Sequence, residues 1–163
     1  MRIIGIDPGL ATVGIGLIEA NCAHDLRVVD YLTIETASKT VFAQRLKEIG
    51  KDLDDILTDF QPELAIIEKL YFSVNEKTAL DVAQARGVIL SCVAGKDLEI
   101  IEPTPPELKS CITGDGSADK KQMQQMVKMI FNLKEIPQPD DAADALALAA
   151  FGAFQGKRAT LIA

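Results

Sequence analysis

The 163-residue chain is 48% hydrophobic and carries 24 acidic and 17 basic side chains, a net charge of −7. The length predicts one domain with its own core, and the acidic balance argues against indiscriminate binding to nucleic acid. The three cysteines form no CxxC pair, and the single histidine cannot build a histidine-rich zinc site. The longest apolar run near the C-terminus, 145–154, is about half as long as a segment that spans a bilayer. We therefore expect a cytoplasmic protein, not associated with a membrane, whose chemistry relies on carboxylates.

The first third of the chain predicts three strands, at 2–7, 13–20 and 26–35, joined by short turns. Such connections favour an antiparallel arrangement. Apolar residues then recur at helical spacing over 41–60, with Lys, Asp and Glu between them, which predicts an amphipathic helix. Its acidic residues are interpreted as the solvated face of that helix: Asp52, Asp54, Asp55 and Asp59.

The remaining chain alternates buried strands with helices. Strands are predicted at 63–70 and 97–103, and helices at 75–93, from Thr104, from Ser117 and at 141–154. Strands that are reached through helical crossovers run parallel. The prediction is therefore an α/β fold with three layers and a five-stranded mixed sheet. The first three strands are antiparallel, strands 4 and 5 are parallel to strand 1, and helices flank the sheet. Residues 1–156 form the domain, and 157–163 form a short, flexible tail.

The last predicted helix contains one polar residue within an apolar stretch. Between Ala142 and Phe151 only Asp144 is polar, and it shares a helical face with Asp141. A buried, ionised carboxylate needs a partner, and a metal ion can supply one. The alternative is that both acids are merely stabilised near the positive N-terminus of the helix.

Two further acids end predicted strands. Asp7 precedes a Pro-Gly turn, where aspartate is common in any case, and Glu68 ends a buried strand, where a charge can simply mark the exit into solvent. If the two strands are neighbours, both acids emerge at one edge of the sheet, where a helix can bring Asp141 and Asp144 to meet them. Four carboxylates repel one another unless cations neutralise them, and two Mg²⁺ ions could then flank a scissile phosphate.

Five motifs stand out along the chain: GIDPG (5–9), AIIEKLYF (65–72), Asn75 with AQARGV (83–88), GDGSADKKQ (114–122) and DDAADALALA (140–149). Together they resemble the RuvC-type Holliday-junction resolvases (crossover junction endodeoxyribonucleases) of the ribonuclease-H-like superfamily. The resemblance covers essentially the whole chain, with matching order and spacing.

The resemblance implies a structure-specific endonuclease that nicks four-way DNA junctions symmetrically in recombination and DNA repair. It implies that Asp7, Glu68, Asp141 and Asp144 are the catalytic, metal-binding acids. The expected cofactor is Mg²⁺, two ions per subunit, with Mn²⁺ as a possible substitute. The family also implies a homodimer, and as partners a junction-binding protein and a branch-migration motor of the RuvA/RuvB type.

The same resemblance assigns DNA contacts to three residues. Lys109 and Lys120 match lysines that lie near the DNA backbone and scissile phosphate, and Tyr71 falls where an aromatic ring stacks on a base at the crossover. The alternatives are that the lysines are ordinary surface cations and that the tyrosine is a core residue at a strand end.

Three other functions stay open at this point. A YqgF-type nuclease of the same superfamily also opens with an Asp-Pro-Gly-like strand, although its chains are usually shorter. An actin-like ATPase domain also places Asp-x-Gly after a strand, but that architecture needs two such domains. A non-catalytic junction-binding protein would fit the acidic charge.

Overall fold

A five-stranded mixed sheet forms the centre of the molecule. The structure, a computed structural model, describes residues 1–70 and 76–159, and side chains within 1–70 and 79–155. The strands are β1 (Arg2–Asp7), β2 (Thr12–Cys22), β3 (Asp25–Glu35), β4 (Leu64–Ile67) and β5 (Glu99–Ile101). Their order is β3-β2-β1-β4-β5, with β1–β3 antiparallel and β4 and β5 parallel to β1. The predicted sheet is confirmed.

Helices cover both faces of the sheet. They are α1 (Phe42–Phe60), α2 (Glu76–Ala94), α3 (Pro105–Thr113), α4 (Lys120–Ile130) and α5 (Asp140–Ala159). One apolar core lies between the sheet and α1 and α2, and a second lies between the sheet and the other three helices. This confirms the predicted three-layer α/β/α architecture. Within the described ranges, no helix is both long enough and apolar enough to cross a membrane.

The starts of two helices show how local chemistry sets element boundaries. Thr104, the predicted start of a helix, caps α3 through a reciprocal capping box with Glu107. The prediction that Ser117 opens the next helix is wrong, because Asp119 caps α4 through Gln122 while Ser117 bonds to the Asp115 carboxylate. Helix α5 continues to Ala159, into the segment 157–163. The flexible tail and the domain boundary stay predictions.

Glycines on β1 and β2 let α5 lie directly on the sheet backbone. A Cβ atom on Gly5 would stand 2.1 Å from the carbonyl oxygen of Ala145, and one on Gly14 would stand 2.0 Å from that of Asp141. A Cβ atom on Gly16 would come within 2.7 Å of the α5 backbone. Gly5 and Gly16 are paired across the two strands. This seam fixes α5 over the centre of the sheet, with its N-terminus at the carboxyl end of β1.

Candidate active site

Asp7 and Glu68 reach the same corner of the molecule because side chains alternate along a strand. Ile3 and Ile66 both belong to the core under α5, so Asp7 and Glu68, an even number of residues further on, point to that same face. Strands β1 and β4 are parallel neighbours, and the N–H of Glu68 donates to the carbonyl of Ile6 at 3.4 Å. The two acids therefore leave the sheet side by side.

The N-terminus of α5 brings the other two acids over this corner. Gly14 pairs with Asp7 in the β1–β2 ladder, and the backbone of Asp141 lies directly against Gly14. Asp144 follows on the same helical face, about one turn along. Both side chains are half-buried, while the helix residues around them are buried. The structure thus brings all four predicted acids to one end of the sheet.

The four acids influence one another electrostatically. Burial, followed by the charges of Glu68, Asp144 and Asp141, holds the pKa of Asp7 well above its usual range. Burial and then the charge of Asp144 raise the pKa of Glu68. Burial also raises the pKa of Asp144, although Lys120 opposes that rise. In the metal-free protein the cluster therefore favours uptake of protons or of another cation.

The two predicted lysines lie beside the acids. The ammonium group of Lys120 is 3.1 Å from the Asp140 carboxylate and 3.5 Å from that of Asp144. Burial lowers the pKa of Lys120, but these two pairs raise it on balance. Lys109, on α3, is close enough to Glu68 to oppose the rise in that acid's pKa. The third predicted DNA contact, Tyr71, lies outside the described residues.

Two residues near the site, Asp140 and Arg86, were not assigned a role in it from the sequence. Asp140 accepts a hydrogen bond from Gln124 at 2.9 Å and pairs with Lys120. Both partners belong to α4, so Asp140 joins the start of α5 to that helix. Arg86, in the QARG motif, donates from Nε to the Glu68 carbonyl at 3.0 Å and forms an ion pair with Glu102. Position within a motif was their only sequence signal, because neither contact is local in the chain.

The donor set fits a hard divalent cation. It consists of carboxylate oxygens, partly buried and mutually repelling, which are the ligands that Mg²⁺ and Mn²⁺ prefer. Within the described part of the chain, no three acidic, histidine or cysteine side chains stand in an arrangement that would hold an ion as they are placed. Repulsion among like charges and the Lys120–Asp144 pair both act against closer convergence.

Sequence comparisons agree on one family. The family model described as crossover junction endodeoxyribonuclease RuvC matches residues 3–151. The protein of that name from Caldicellulosiruptor saccharolyticus is 47% identical over 149 residues, covering 91% of this chain and 90% of the relative. The one from Halothermothrix orenii is 49% identical over 148 residues, covering 91% of this chain and 89% of the relative.

Solved structures show the same fold. Thermus thermophilus RuvC is 30% identical with a TM-score of 0.89, covering 98% of both chains. T. thermophilus RuvC in complex with Holliday junction substrate is 29% identical with a TM-score of 0.91, covering 98% of this chain and 97% of the other. The likeness covers the five-stranded mixed sheet and the helices on its two faces.

Proposed function

This chain belongs to the crossover junction endodeoxyribonuclease RuvC family, and on that premise we propose that it resolves four-way (Holliday) DNA junctions by symmetric, divalent-metal-dependent hydrolysis of phosphodiester bonds in recombination and DNA repair. One observation carries the proposal: four acids, from the ends of β1 and β4 and from α5, gather at one sheet end, where burial and then the charges of the other three hold the pKa of Asp7 well above its usual range. Burying such a cluster is costly unless it holds a cation.

The cofactor follows from the donor chemistry. The family is one of divalent-metal-dependent nucleases, and our proposal is that Asp7, Glu68, Asp141 and Asp144 hold two Mg²⁺ ions per subunit, with Mn²⁺ as a substitute. Ions at such a site activate water and neutralise charge at a scissile phosphate. The chain's own part is to hold four carboxylates on rigid elements: two strand ends and a helix seated on glycines.

Contacts with DNA are assigned to residues around this corner. Lys120 lies beside Asp144, and Lys109 lies near Glu68, so both cations can approach a phosphate that enters the cluster. Phosphate contacts of this kind fix the position of the substrate without reading its sequence. Tyr71 is proposed to stack on a base at the crossover. The net charge of −7 makes these local cations more important for DNA approach.

The proposed assembly is a homodimer in the cytoplasm. A four-way junction has near-twofold symmetry, and a twofold dimer would present two such sites to opposite strands. A T. thermophilus relative has been solved in complex with Holliday junction substrate. As partners we propose a junction-binding protein and a branch-migration motor of the RuvA/RuvB type. A non-catalytic junction-binding role would not explain why the four acids are gathered and partly buried. The family match disfavours a YqgF-type nuclease.

A gel assay tests the proposal directly. Purified protein is incubated with a labelled four-way junction or with a linear duplex of the same arm sequence, in Mg²⁺ or in EDTA. We expect paired nicks in opposite strands of the junction only, in Mg²⁺ only, and products that DNA ligase can seal. Metal-independent nicking, or equal cleavage of the linear duplex, would contradict the proposal. Binding to the junction without nicking would favour the non-catalytic alternative.

A further inference from the structure

We propose that Arg86, held by Glu102, is a positioning residue that fixes the main chain of Glu68 so that its carboxylate can serve the metal site. The inference rests on the proposed function, because it assumes that Glu68 binds the metal. It concerns α2, a helix that contributes none of the four acids.

The contact lies just beyond the last paired residues of β4. The β4–β5 ladder ends at Ile66 and Ile101, two residues before Glu68. Arg86 crosses from α2 and donates its Nε–H to the Glu68 carbonyl at 3.0 Å, while its Nη2 pairs with the Glu102 carboxylate. Its side chain is only 14% exposed. The guanidinium therefore holds the main chain at Glu68, beyond the point where β4 and β5 are paired.

A guanidinium is suited to this task because it is a rigid, planar fork. One nitrogen bonds to the Glu68 carbonyl while another bonds to Glu102, and both bonds keep a fixed relative geometry. A lysine at position 86 would keep the charge but has a single nitrogen and could not reproduce the fork.

Glu68 needs such an anchor because its neighbours repel it. The carboxylates of Asp7 and Asp144 act on Glu68 from β1 and α5. Repulsion of this kind can be relieved by rotating the peptide, which would turn the side chain away. Because the torsion ψ of Glu68 relates its carbonyl to its Cα–Cβ bond, holding the carbonyl restricts the direction in which the side chain leaves the backbone. Groups that orient metal ligands from outside typically change metal affinity by about 10–100-fold.

The competing explanation is that the Arg86–Glu102 pair only joins α2 to the end of β5. A purely structural role would lower stability but leave the metal affinity of the folded protein unchanged. Direct binding of Mn²⁺ to the full-length, DNA-free protein, followed through the loss of the free-ion electron paramagnetic resonance signal, separates the two roles. Wild type, Arg86→Lys and Glu102→Gln are compared at a temperature where all three are folded by circular dichroism.

We expect Arg86→Lys to weaken Mn²⁺ binding about tenfold, and Glu102→Gln to weaken it less. Nicking by Arg86→Lys should shift to higher metal concentration with little change in its rate at saturation. Arg27→Lys is the matched control, because Arg27 pairs with Glu19 on exposed parts of β3 and β2. It should bind Mn²⁺ like wild type.

A double variant tests whether the effect passes through Glu68. In a Glu68→Gln background, Arg86→Lys should weaken Mn²⁺ binding much less than about tenfold, because the ligand that it orients is already gone. Wild-type Mn²⁺ affinity in Arg86→Lys, or the same tenfold loss in the Glu68→Gln background, would overturn this inference and leave the proposed function standing. If wild type itself binds no Mn²⁺, the proposed function fails and this inference fails with it.

Discussion

Two acidic segments of this molecule use the same residue type in opposite ways. Helix α1 carries four exposed aspartates, and three of them form ion pairs at the surface: Asp52 and Asp55 with Lys51, and Asp54 with Lys96. The first turns of α5 carry aspartates that are half-buried beside two more acids from the sheet. The number of acids therefore does not locate the chemistry, whereas burial next to other acids does.

The difference arises from the apolar pattern of each helix. Buried residues of α1 recur at helical spacing, as Ile49, Leu53 and Leu57 show, so the other face is left to water. Between Ala142 and Phe151, every residue of α5 except Asp144 is apolar and buried, and Asp144 itself is half-buried. A charge at such a place must find a partner.

The largest expected effect is on catalysis and compares one acid from each helix. Asp144→Asn should reduce nicking of a four-way junction in Mg²⁺ by at least about 10²-fold, because a negative oxygen that holds the cation is lost. Binding of the junction should persist. The control Asp55→Asn removes an acid of α1 and should leave nicking unchanged. Both rates come from single-turnover gel assays.

Equal nicking rates for Asp144→Asn and Asp55→Asn would show that the acids of α5 matter no more for catalysis than those of α1. Loss of folding in Asp144→Asn, detected by circular dichroism, would make Asp144 a structural residue and would also contradict the expected result.

The next effect is on stability and tests how α5 is seated. Gly14→Ala should lower the free energy of unfolding by about 3 kcal/mol, since its Cβ would meet the Asp141 carbonyl and nothing flexible can move aside. Gly87→Ala is the control, because Gly87 lies on an exposed part of α2 and, among the described residues, the added Cβ would meet nothing within 4 Å apart from the local helix backbone. It should raise stability by up to about 1 kcal/mol, because alanine favours helix over glycine. Urea unfolding measures both, and similar values for the two variants would contradict close seating of α5.

The smallest expected effect is the pH dependence of the metal-free protein. The pKa of Asp7 is raised in the folded state, so the stability linked to this group is present at low pH and is lost as pH rises through the folded pKa. The Asp7→Asn variant lacks this titrating carboxyl group. In EDTA it should therefore be more stable than wild type near neutral pH, by on the order of 1 kcal/mol, and the gain should shrink towards about pH 4.

Asp55→Asn serves again as the control for this series. Its pair with Lys51 is exposed, so its removal should change stability by less than about 0.5 kcal/mol at every pH. Urea titrations across the pH range decide the matter. A variant Asp7→Asn that is less stable than wild type near neutral pH would show that the acid is not under strain in the metal-free fold.

Much of the fold was predictable because its signals are local. The period of apolar residues identified the strands and the helix α1, and Thr104 was correctly predicted as the start of α3. The predicted start of α4 was wrong because several polar residues near that point can each cap a helix. Asp119, not Ser117, is the residue that caps α4.

The sequence by itself determined which acids stand next to apolar segments, because Asp144 interrupts an apolar helix and Asp7 and Glu68 end apolar strands. Only the tertiary structure decided that Arg86 reaches the Glu68 carbonyl and that Gly14 seats Asp141. Periodicity depends on neighbours along the chain, whereas hydrogen bonds, close backbone contact and charge repulsion depend on distance through space.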